Sequence, residues 1–268
     1  MVRILFVLFF VCGAFGANLH ENVRNLIGDD TYNTNYERMQ GIFSNQNEYV
    51  DIYGNLDYQK ITETLTAYSF LNLELDYVAT MRLNFESDAK PLLLVKIVSQ
   101  ALKNMGYVYF RSVGFDMANG KTRWSVTVAS KSVVDSGRLY EALLRNSAFI
   151  KNISRTSEFE FVYSLDLENA YLLTEKLPKS KDEFIKPIEA FFYKIDNKST
   201  LAIQSHRQNN WRPIIKIFDK DLALIRQIKE DKRTNFVNFE LPKNAYYIRI
   251  SDIYTLENIK HGLIIEIN

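Results

Sequence analysis

"YVYFRSVGFDMANGKTRWSVTVAS", residues 107–130, decides how the middle of this chain of 268 residues folds. Polar and apolar residues alternate over much of the stretch, as they do in a strand that has one buried face. Two such runs flank residues 118–121, which contain Asn119-Gly120, and an Asn-Gly pair in that position is a strong signal for a β-hairpin. The stretch therefore predicts two adjacent antiparallel strands.

Further elements lie on both sides of this hairpin. Residues 77–85 alternate in the same way and predict a strand, and residues 91–105 have the apolar spacing of a helix. After the hairpin, Asp135 is placed to cap a second helix, and "EFEFVYSLDL", residues 158–167, predicts a last strand. The order over residues 76–166 is β-α-β-β-α-β, the ferredoxin-like order, which gives an antiparallel sheet covered on one face by two helices.

Residues 18–72 predict a small helical region that packs as a cap on the middle of the chain. Apolar residues recur there at helical spacing in three stripes, and each stripe predicts one buried helix face. Gly28 is placed to end the first helix, and Asp57 is placed to cap the third, over residues 58–70. The stripes are Leu19, Val23, Leu26 and Ile27; Tyr32, Tyr36, Met39 and Phe43; and Ile61, Leu65, Tyr68 and Leu71.

A segment just before the third helix shares part of its pattern with a calcium-binding EF-hand loop. With Gly54 at the sixth position of such a loop, Asp51 occupies a ligand position, but Tyr49 and Tyr53 occupy two others. Lys60 stands at the twelfth position, where the loop needs a bidentate glutamate. The sequence therefore predicts a turn with Gly54 at positive φ and no calcium site.

The N-terminus predicts export. A basic start precedes the apolar run "ILFVLFFVCGAFGA" at residues 4–17, which is shorter than the roughly 20 residues that a membrane-spanning helix needs. Residues 1–17 are expected to form a signal peptide, cut after Gly16 or, as the second choice, after Ala17. Cys12, the only cysteine, leaves with it, and a mature chain without disulfides fits a bacterial periplasm. No later apolar run is long enough to cross a membrane.

Composition and motifs argue against nucleic-acid binding and against catalysis. The formal net charge is +1 and the sequence pI is about 7.7, whereas a nucleic-acid binder carries a basic face. His20, His206 and His261 lie in different regions, without a second metal ligand at the usual spacing. Glu158 and Glu160 are expected on the solvent face of a strand, and the sequence has no nucleophile elbow, phosphate loop or dinucleotide motif. We expect no enzyme activity, no cofactor and no metal.

Residues 172–186 form a charged connection with Pro178 inside it and Pro187 after it, and they predict a domain boundary. Seven short runs separated by turn residues come next, as in an antiparallel β-sandwich. They are "AFFYKI", "TLAIQSH", "RPIIKIFD", "LALIRQI", "NFVNFEL", "AYYIRIS" and "GLIIEI". The expected fold class is α+β, organised as a signal peptide (1–17), a helical cap (18–72), a ferredoxin-like α/β domain (73–171), a linker (172–186) and a β-sandwich domain (187–268).

Two of these runs carry a resemblance to a known family. "PIIKIFD" at residues 213–219 and "AYYIRIS" at residues 245–251 resemble a bacterial pre-peptidase C-terminal domain. The resemblance covers residues 187–268 and implies a jelly roll that accompanies secreted enzymes or binds surfaces and is not catalytic itself. This copy departs from such domains by lacking their usual glycine and acidic loop residues. The middle region is similar in topology to small α/β modules of envelope machines, such as secretins and flagellar-motor accessory proteins.

Two functions from different classes are consistent with these observations. The first is a non-enzymatic periplasmic component of the bacterial cell envelope that acts by structure or protein interaction, with an accessory role in the flagellar motor as its narrowest form. Its partners are expected to be other envelope proteins, including ring or scaffold components. The alternative is a surface module that binds glycan or peptidoglycan through the C-terminal sandwich. Trp211, just before a strand, is either a stacking platform for sugar or a buried plug at the end of the sandwich.

Overall fold

The computed structural model describes residues 14–177 and 183–268, with side chains from residue 19 onward. The predicted signal peptide falls largely outside the described residues, and so does the stretch 178–182, which includes Pro178. The fold is mixed α+β. Within the described part, no helix is long and apolar enough to cross a membrane.

The chain divides into two compact units, Met1–Tyr171 and Leu172–Asn268. The described part of the first unit starts with helices. Gly28, with a φ of 88°, separates the first two helices, as the sequence predicted. The fourth helix is capped as predicted, because the Asp57 carboxylate accepts a hydrogen bond from Lys60 N at 3.0 Å. The helices are α1 (Ala14–Ile27), α2 (Asp29–Thr34), α3 (Tyr36–Ile42), a short 3₁₀ helix (Gln46–Tyr49) and α4 (Tyr58–Ala67).

The second predicted helix is in fact two helices, α2 and α3. They are interrupted at Asn35, whose φ of −114° and ψ of 26° are not helical. The Asn35 side chain donates to Thr31 O at 2.9 Å, which is the competition with the helix backbone that disfavours asparagine inside helices. Tyr32 and Met39 are buried as expected, whereas Tyr36, on the same predicted stripe, is 53% exposed.

A five-stranded sheet comes after the helices. Its strand order is β2-β3-β1-β5-β4; β1 and β5 run parallel, and each other neighbouring pair is antiparallel. The predicted hairpin is confirmed, because Asn119 and Gly120 adopt φ of 53° and 77° between its two strands. The elements are β1 (Glu74–Ser87), α5 (Pro91–Asn104), β2 (Arg111–Ala118), β3 (Lys121–Ser132), α6 (Ser136–Leu144), β4 (Phe149–Ser157) and β5 (Glu160–Asp166).

The predicted β-α-β-β-α-β order and antiparallel sheet are wrong in two respects, because the order omits β4 and because β1 and β5 run parallel. This strand has polar side chains at successive positions, Lys151 and Asn152, so it lacks the alternation that identifies a half-buried strand. Its pairing with β5 is also interrupted by register shifts at residues 150–152 and 155–157. β4 forms an edge of the sheet, and β5 lies between it and β1.

One face of this sheet is covered by helices. α5 packs against β1 and β3, and α6 packs against β4 and α4. Phe85 of β1 and Tyr163 of β5 are buried on that face and stack with their ring centroids 5.5 Å apart. The alternate positions carry polar side chains such as Arg82 and Glu160. The sheet therefore has one apolar, covered face and one polar face, as an antiparallel strand pattern predicts.

Helices α4 and α6 approach each other closely at Gly137. A Cβ added at Gly137 would overlap the Thr62 hydroxyl and lie 3.0 Å from the Cα of Gln59. We expect Gly137→Ala to lower the free energy of unfolding by about 2 kcal/mol, because overpacking forces the two helices apart. Urea denaturation followed by circular dichroism measures this change.

Gly41→Ala is the matched control for this prediction. Gly41 is also a helical glycine, in α3, but a Cβ added there meets nothing within 4 Å. Alanine should therefore leave stability unchanged or raise it by about 0.5–1 kcal/mol through helix propensity. Equal effects at the two positions would contradict the close approach of α4 and α6.

The second unit, Leu172–Asn268, is built from strands. All seven strands expected from the sequence are present. They form a four-stranded sheet, β6-β11-β8-β9, and a three-stranded sheet, β10-β7-β12, in which all neighbouring pairs are antiparallel. The strands are β6 (Phe191–Lys194), β7 (Thr200–Ser205), β8 (Pro213–Phe218), β9 (Leu224–Lys229), β10 (Phe236–Glu240), β11 (Tyr247–Asp252) and β12 (Leu263–Ile267).

Side chains from both sheets of the second unit form one hydrophobic cluster. Phe191, Ile215 and Ile250 contribute from the four-stranded sheet, and Ile203 and Leu263 contribute from the three-stranded sheet. Six of the strands place alternate residues in or against this cluster, as the alternating sequence runs predicted. β9 contributes Ile225 and Ile228, three positions apart, and its pairing with β8 contains a register shift. The unit therefore has a core of its own.

Parts of the segment predicted as a linker pair with strands of the second unit. Leu172 is buried, and its N–H donates to the Tyr247 hydroxyl at 2.8 Å. Ile185 forms a bridge to Leu263, with hydrogen bonds of 2.9 and 3.0 Å in the two directions. A fragment that contains the whole second unit should therefore start at Leu172 rather than at Pro187.

Candidate functional site

The two edge strands of the five-stranded sheet, β4 and β2, differ in whether other residues cover them. At the β4 edge, Ile153 N donates to the Asn22 side-chain oxygen at 2.8 Å. The Asn25 side-chain nitrogen donates to Ile153 O, also at 2.8 Å. Positions three apart share one face of a helix, so α1 presents both amides to the same strand residue. These two side chains occupy the place of a neighbouring strand at Ile153, and α1, which packs against β4, covers this edge.

Asn22 is held in this position by a buried network. Its side-chain oxygen also accepts from the Tyr58 hydroxyl at 2.8 Å, and its nitrogen donates to the Asn152 side chain at 3.0 Å. Burial raises the pKa of Tyr58 far above its usual range, with smaller contributions from Tyr163 and Glu21. This direction favours the protonated hydroxyl, which is the form that donates to Asn22.

The opposite edge, β2, has no strand paired to its outer side among the described residues. Phe115 and Met117 pair with Trp124 and Thr122 of β3, which are buried on the helix-covered face. Yet Phe115 is 51% exposed and Met117 is 63% exposed, because that face is not covered as far as its edge. A β-bulge lies beside them, at Val113. The β2 edge, defined here as Arg111–Ala118, therefore combines an open strand with exposed apolar side chains.

The polar face beside the β2 edge is internally satisfied at its centre. The Asn84 side-chain nitrogen donates to Glu160 Oε1 at 3.1 Å, and Ser125 Oγ donates to Asn84 Oδ1 at 2.6 Å. Arg82 forms an ion pair with Glu160 at 3.6 Å. Glu160 thus lies on the polar face, where the sequence placed it, and serves the sheet's own hydrogen bonds. These hydrogen bonds and the ion pair join neighbouring strands of the sheet. Glu160 is engaged in them and is not paired with a second carboxyl group as an acid/base pair would be.

Trp211, the one candidate ligand-binding residue from the sequence, is fully buried. Its side chain has 0% exposure and belongs to the hydrophobic cluster of the second unit. The indole N–H donates to Ser251 O at 3.0 Å. A buried ring has no free face on which a sugar could stack. Of the two alternatives, the position of Trp211 in this structure is that of the buried plug.

The histidines are arranged differently from the expectation that each stands alone. His206 and His261 have ring centroids 5.4 Å apart, because β7 and β12 pair beside them. The sequence did not predict this pair because the two histidines are 55 positions apart, although each adjoins a predicted strand. His20 accepts or donates a hydrogen bond with the Tyr32 hydroxyl at 2.9 Å, and burial, followed by the charge of Arg24, lowers the pKa of His20. Among the described residues, no three metal-ligating side chains converge.

The segment with the partial EF-hand pattern is a turn, as predicted. Gly54 has a φ of 84°. One oxygen of the Asp51 carboxylate accepts from Tyr53 N at 2.8 Å and from Asn55 N at 2.9 Å, and the other accepts from the Tyr140 hydroxyl at 2.7 Å. The carboxylate that would have been a calcium ligand therefore holds the turn together instead.

An open cleft of about 470 Å³ lies between the α1–α2 corner and the β4–β5 turn. Its two arginines are engaged within the protein. Arg24 pairs with Asp29 at 4.0 Å, and Arg155 donates to the carbonyl oxygens of Ser157 and Glu158. The cleft therefore presents no unpaired cation to a ligand.

Comparison with known proteins adds no further constraint on the site. No family model, curated protein or solved structure matches the chain. The β2 edge is therefore interpreted from its own geometry, and it is the described feature of the first unit best suited to binding another molecule. Sequence reasoning predicted free sheet edges in general, but no local signal distinguished the open edge from the covered one.

Proposed function

We propose that this protein is a non-enzymatic periplasmic component of the bacterial cell envelope that binds a neighbouring envelope protein through the β2 edge. The single observation that carries the proposal is the contrast between a covered β4 edge and an open β2 edge with Phe115 and Met117 exposed. A partner strand added beside β2 would pair its free backbone groups and cover both side chains, which is how β-strand addition works.

We also propose a family likeness for the fold of each unit. The first unit is a ferredoxin-like arrangement with one strand added, and the second unit is a β-sandwich similar to pre-peptidase C-terminal domains. Pre-peptidase C-terminal domains are not catalytic themselves, which suits a scaffold or accessory role, whereas many unrelated activities share the ferredoxin-like order, so it fixes no function. Export by the predicted signal peptide, residues 1–17, would bring the chain to the periplasm. Ring or scaffold components of the flagellar motor are the first partners to test.

The proposal is tested by pull-down from envelope lysate of the native host, with bound proteins identified by mass spectrometry. We expect the wild-type protein to retain a specific envelope protein and the double variant Phe115→Glu/Met117→Glu to retain at least tenfold less of it. Both side chains are already half exposed or more, so the variant should keep its melting temperature. Ile52→Glu is the control, because Ile52 is a 92% exposed apolar residue of the same unit and lies near the sheet's other edge: the ring of the adjacent Tyr53 packs on Phe149 of β4.

Two outcomes would overturn the proposal. One is retention of the same partner by the double variant at the wild-type level. The other is the absence of any specific partner together with retention of the wild-type protein on purified sacculi. The second outcome would favour the alternative function, glycan or peptidoglycan binding, for which the buried Trp211 gives no support.

A further inference from the structure

The outer face of the four-stranded sheet in the second unit carries an unusual row of side chains. Its inner face supplies the hydrophobic cluster, and the alternate residues point away from that cluster. Arg249 of β11 lies directly opposite Phe192 of β6 on one side and Lys216 of β8 on the other. Lys216 in turn lies opposite Gln227 of β9. Two cations therefore stand side by side at the centre of this face.

Two more cations extend the row into a diagonal stripe across all four strands. Lys194 lies two positions along from Phe192 on β6, and Lys229 lies two positions along from Gln227 on β9, in the opposite direction. From strand spacing and rise per residue, the distance from end to end is about 20 Å. We call Lys194, Arg249, Lys216 and Lys229 the basic stripe.

None of the other strand positions on this face is acidic. They are Phe192, Ile214, Phe218, Leu224 and Gln227, together with Tyr247 and Ser251, which are buried. Leu172 lies against Tyr247, so this face is covered at that point.

The central pair of the stripe has no counter-charge within the described residues. Arg249 and Lys216 form no ion pair there, although like charges directly opposite on neighbouring strands are destabilising. The outer members are partly compensated. Lys229 pairs with the exposed Asp231 at 3.6 Å, and the Lys194 ammonium lies 4.8 Å from the centroid of the Tyr246 ring. An anion bound at the centre would remove a repulsion that the fold itself leaves in place.

We propose that the basic stripe binds an acidic segment of a partner protein. This inference rests on the proposed role in protein interaction, and it assigns the chemistry of a second surface. A stripe of about 20 Å matches a helix of about 13 residues. Carboxylates spaced four residues apart on such a helix are about 6 Å apart, close to the separation of neighbouring strands. Half-buried Phe192 and Ile214 beside the central cations provide apolar contact for the same segment.

The test uses a fluorescently labelled poly-glutamate peptide of about 15 residues, long enough to span the stripe, and measures anisotropy with the full chain. We expect the wild-type protein to bind and the double variant Lys216→Gln/Arg249→Gln to bind at least tenfold more weakly. Salt should weaken binding, because the contacts are between exposed charges. The double variant should keep its melting temperature, since it removes a like-charge contact and leaves the core unchanged.

Lys220→Gln/Lys243→Gln is the matched control. Both lysines are exposed, belong to the same unit and lie in turns outside the stripe, so the change of net charge is the same. Binding at the wild-type level by this control supports a defined site. An equal loss in both double variants would overturn the inference, because net charge alone would then explain binding. Tighter binding of an oligogalacturonate of equal charge would overturn it in favour of an acidic glycan.

Failure of this inference can be told apart from failure of the proposed function. Absence of peptide binding by the wild-type protein, with an envelope partner still captured in a manner that depends on Phe115 and Met117, would overturn only the basic stripe. Absence of any specific envelope partner, together with retention of the wild-type protein on purified sacculi, would overturn the proposed function. Loss of the captured partner in Lys216→Gln/Arg249→Gln, but not in Lys220→Gln/Lys243→Gln, supports both.

Discussion

Asn22→Ala is expected to lower the free energy of unfolding of the first unit by about 3 kcal/mol. The substitution removes the acceptor of two buried donors, Ile153 N–H and the Tyr58 hydroxyl, and each buried group left without a partner costs about 1–3 kcal/mol. It also removes the donor to the Asn152 side chain. The change is measured by urea denaturation, with the slope of the transition checked against the wild type.

Asn33→Ala controls for the loss of an asparagine from a helix. Asn33 lies in α2 and is exposed, so its replacement should change stability by less than about 0.5 kcal/mol. Tyr58→Phe should fall between the two, because it removes one of the hydrogen bonds to Asn22 and keeps the packing of the ring. An effect of Asn22→Ala no larger than that of Asn33→Ala would contradict the proposed covering of the β4 edge.

Trp211→Ala is expected to lower the free energy of unfolding of the second unit by about 4 kcal/mol, because it empties the largest fully buried side chain of the protein's described part. The carbonyl of Ser251 also loses the indole N–H. A fragment starting at Leu172 allows the second unit to be measured by itself, with circular dichroism as the signal.

Tyr254→Ala is the matched control, since Tyr254 is an aromatic residue of the same unit that is 66% exposed. Its replacement should cost less than about 0.5 kcal/mol. Trp211→Phe should be intermediate, because it keeps most of the volume and loses the hydrogen bond. Wild-type stability in Trp211→Ala, together with loss of binding to a sugar, would restore the stacking role and contradict the buried one.

Local signals predicted the parts of the fold that are decided locally. Asn119-Gly120 specified a hairpin because few other residue pairs adopt positive φ at both positions. Asp135 specified the start of α6, and its carboxylate does accept hydrogen bonds from Gly137 N and Arg138 N. The strands of the second unit were predicted because each has one face in a core and one outside it.

Features that depend on distant residues were missed. β4 is stabilised by pairing with β5 and by α1, and the hydrogen-bonded pair Asn22 and Ile153 lies 131 positions apart in the chain. Nothing near either residue marks that contact. The pairing of His206 with His261 was missed for the same reason, because it arises from strand register. The predicted apolar stripe of the third helix was also too long, because Tyr68 lies beyond the end of α4 and is 51% exposed.

The same limit applies to the candidate site. Alternation along β2 predicted a strand, but whether a strand lies at an edge is a property of the whole sheet. The open edge is defined by the order of the strands and by α1, which covers the opposite edge. The basic stripe could not be predicted from the sequence either, since its four cations come from four strands whose order in the sheet differs from their order in the chain.

A sheet with one covered edge and one open edge can be extended in a single direction. A strand added at β2 finds backbone partners, whereas at β4 the amides of Asn22 and Asn25 already occupy that position on Ile153. Pairing through β2 therefore consumes the open edge of the described five-stranded sheet and leaves none there for a further subunit. If the proposed strand addition at β2 occurs, it would complete this sheet after a single step, because the described five-stranded sheet offers no second open edge along which further strands could be added.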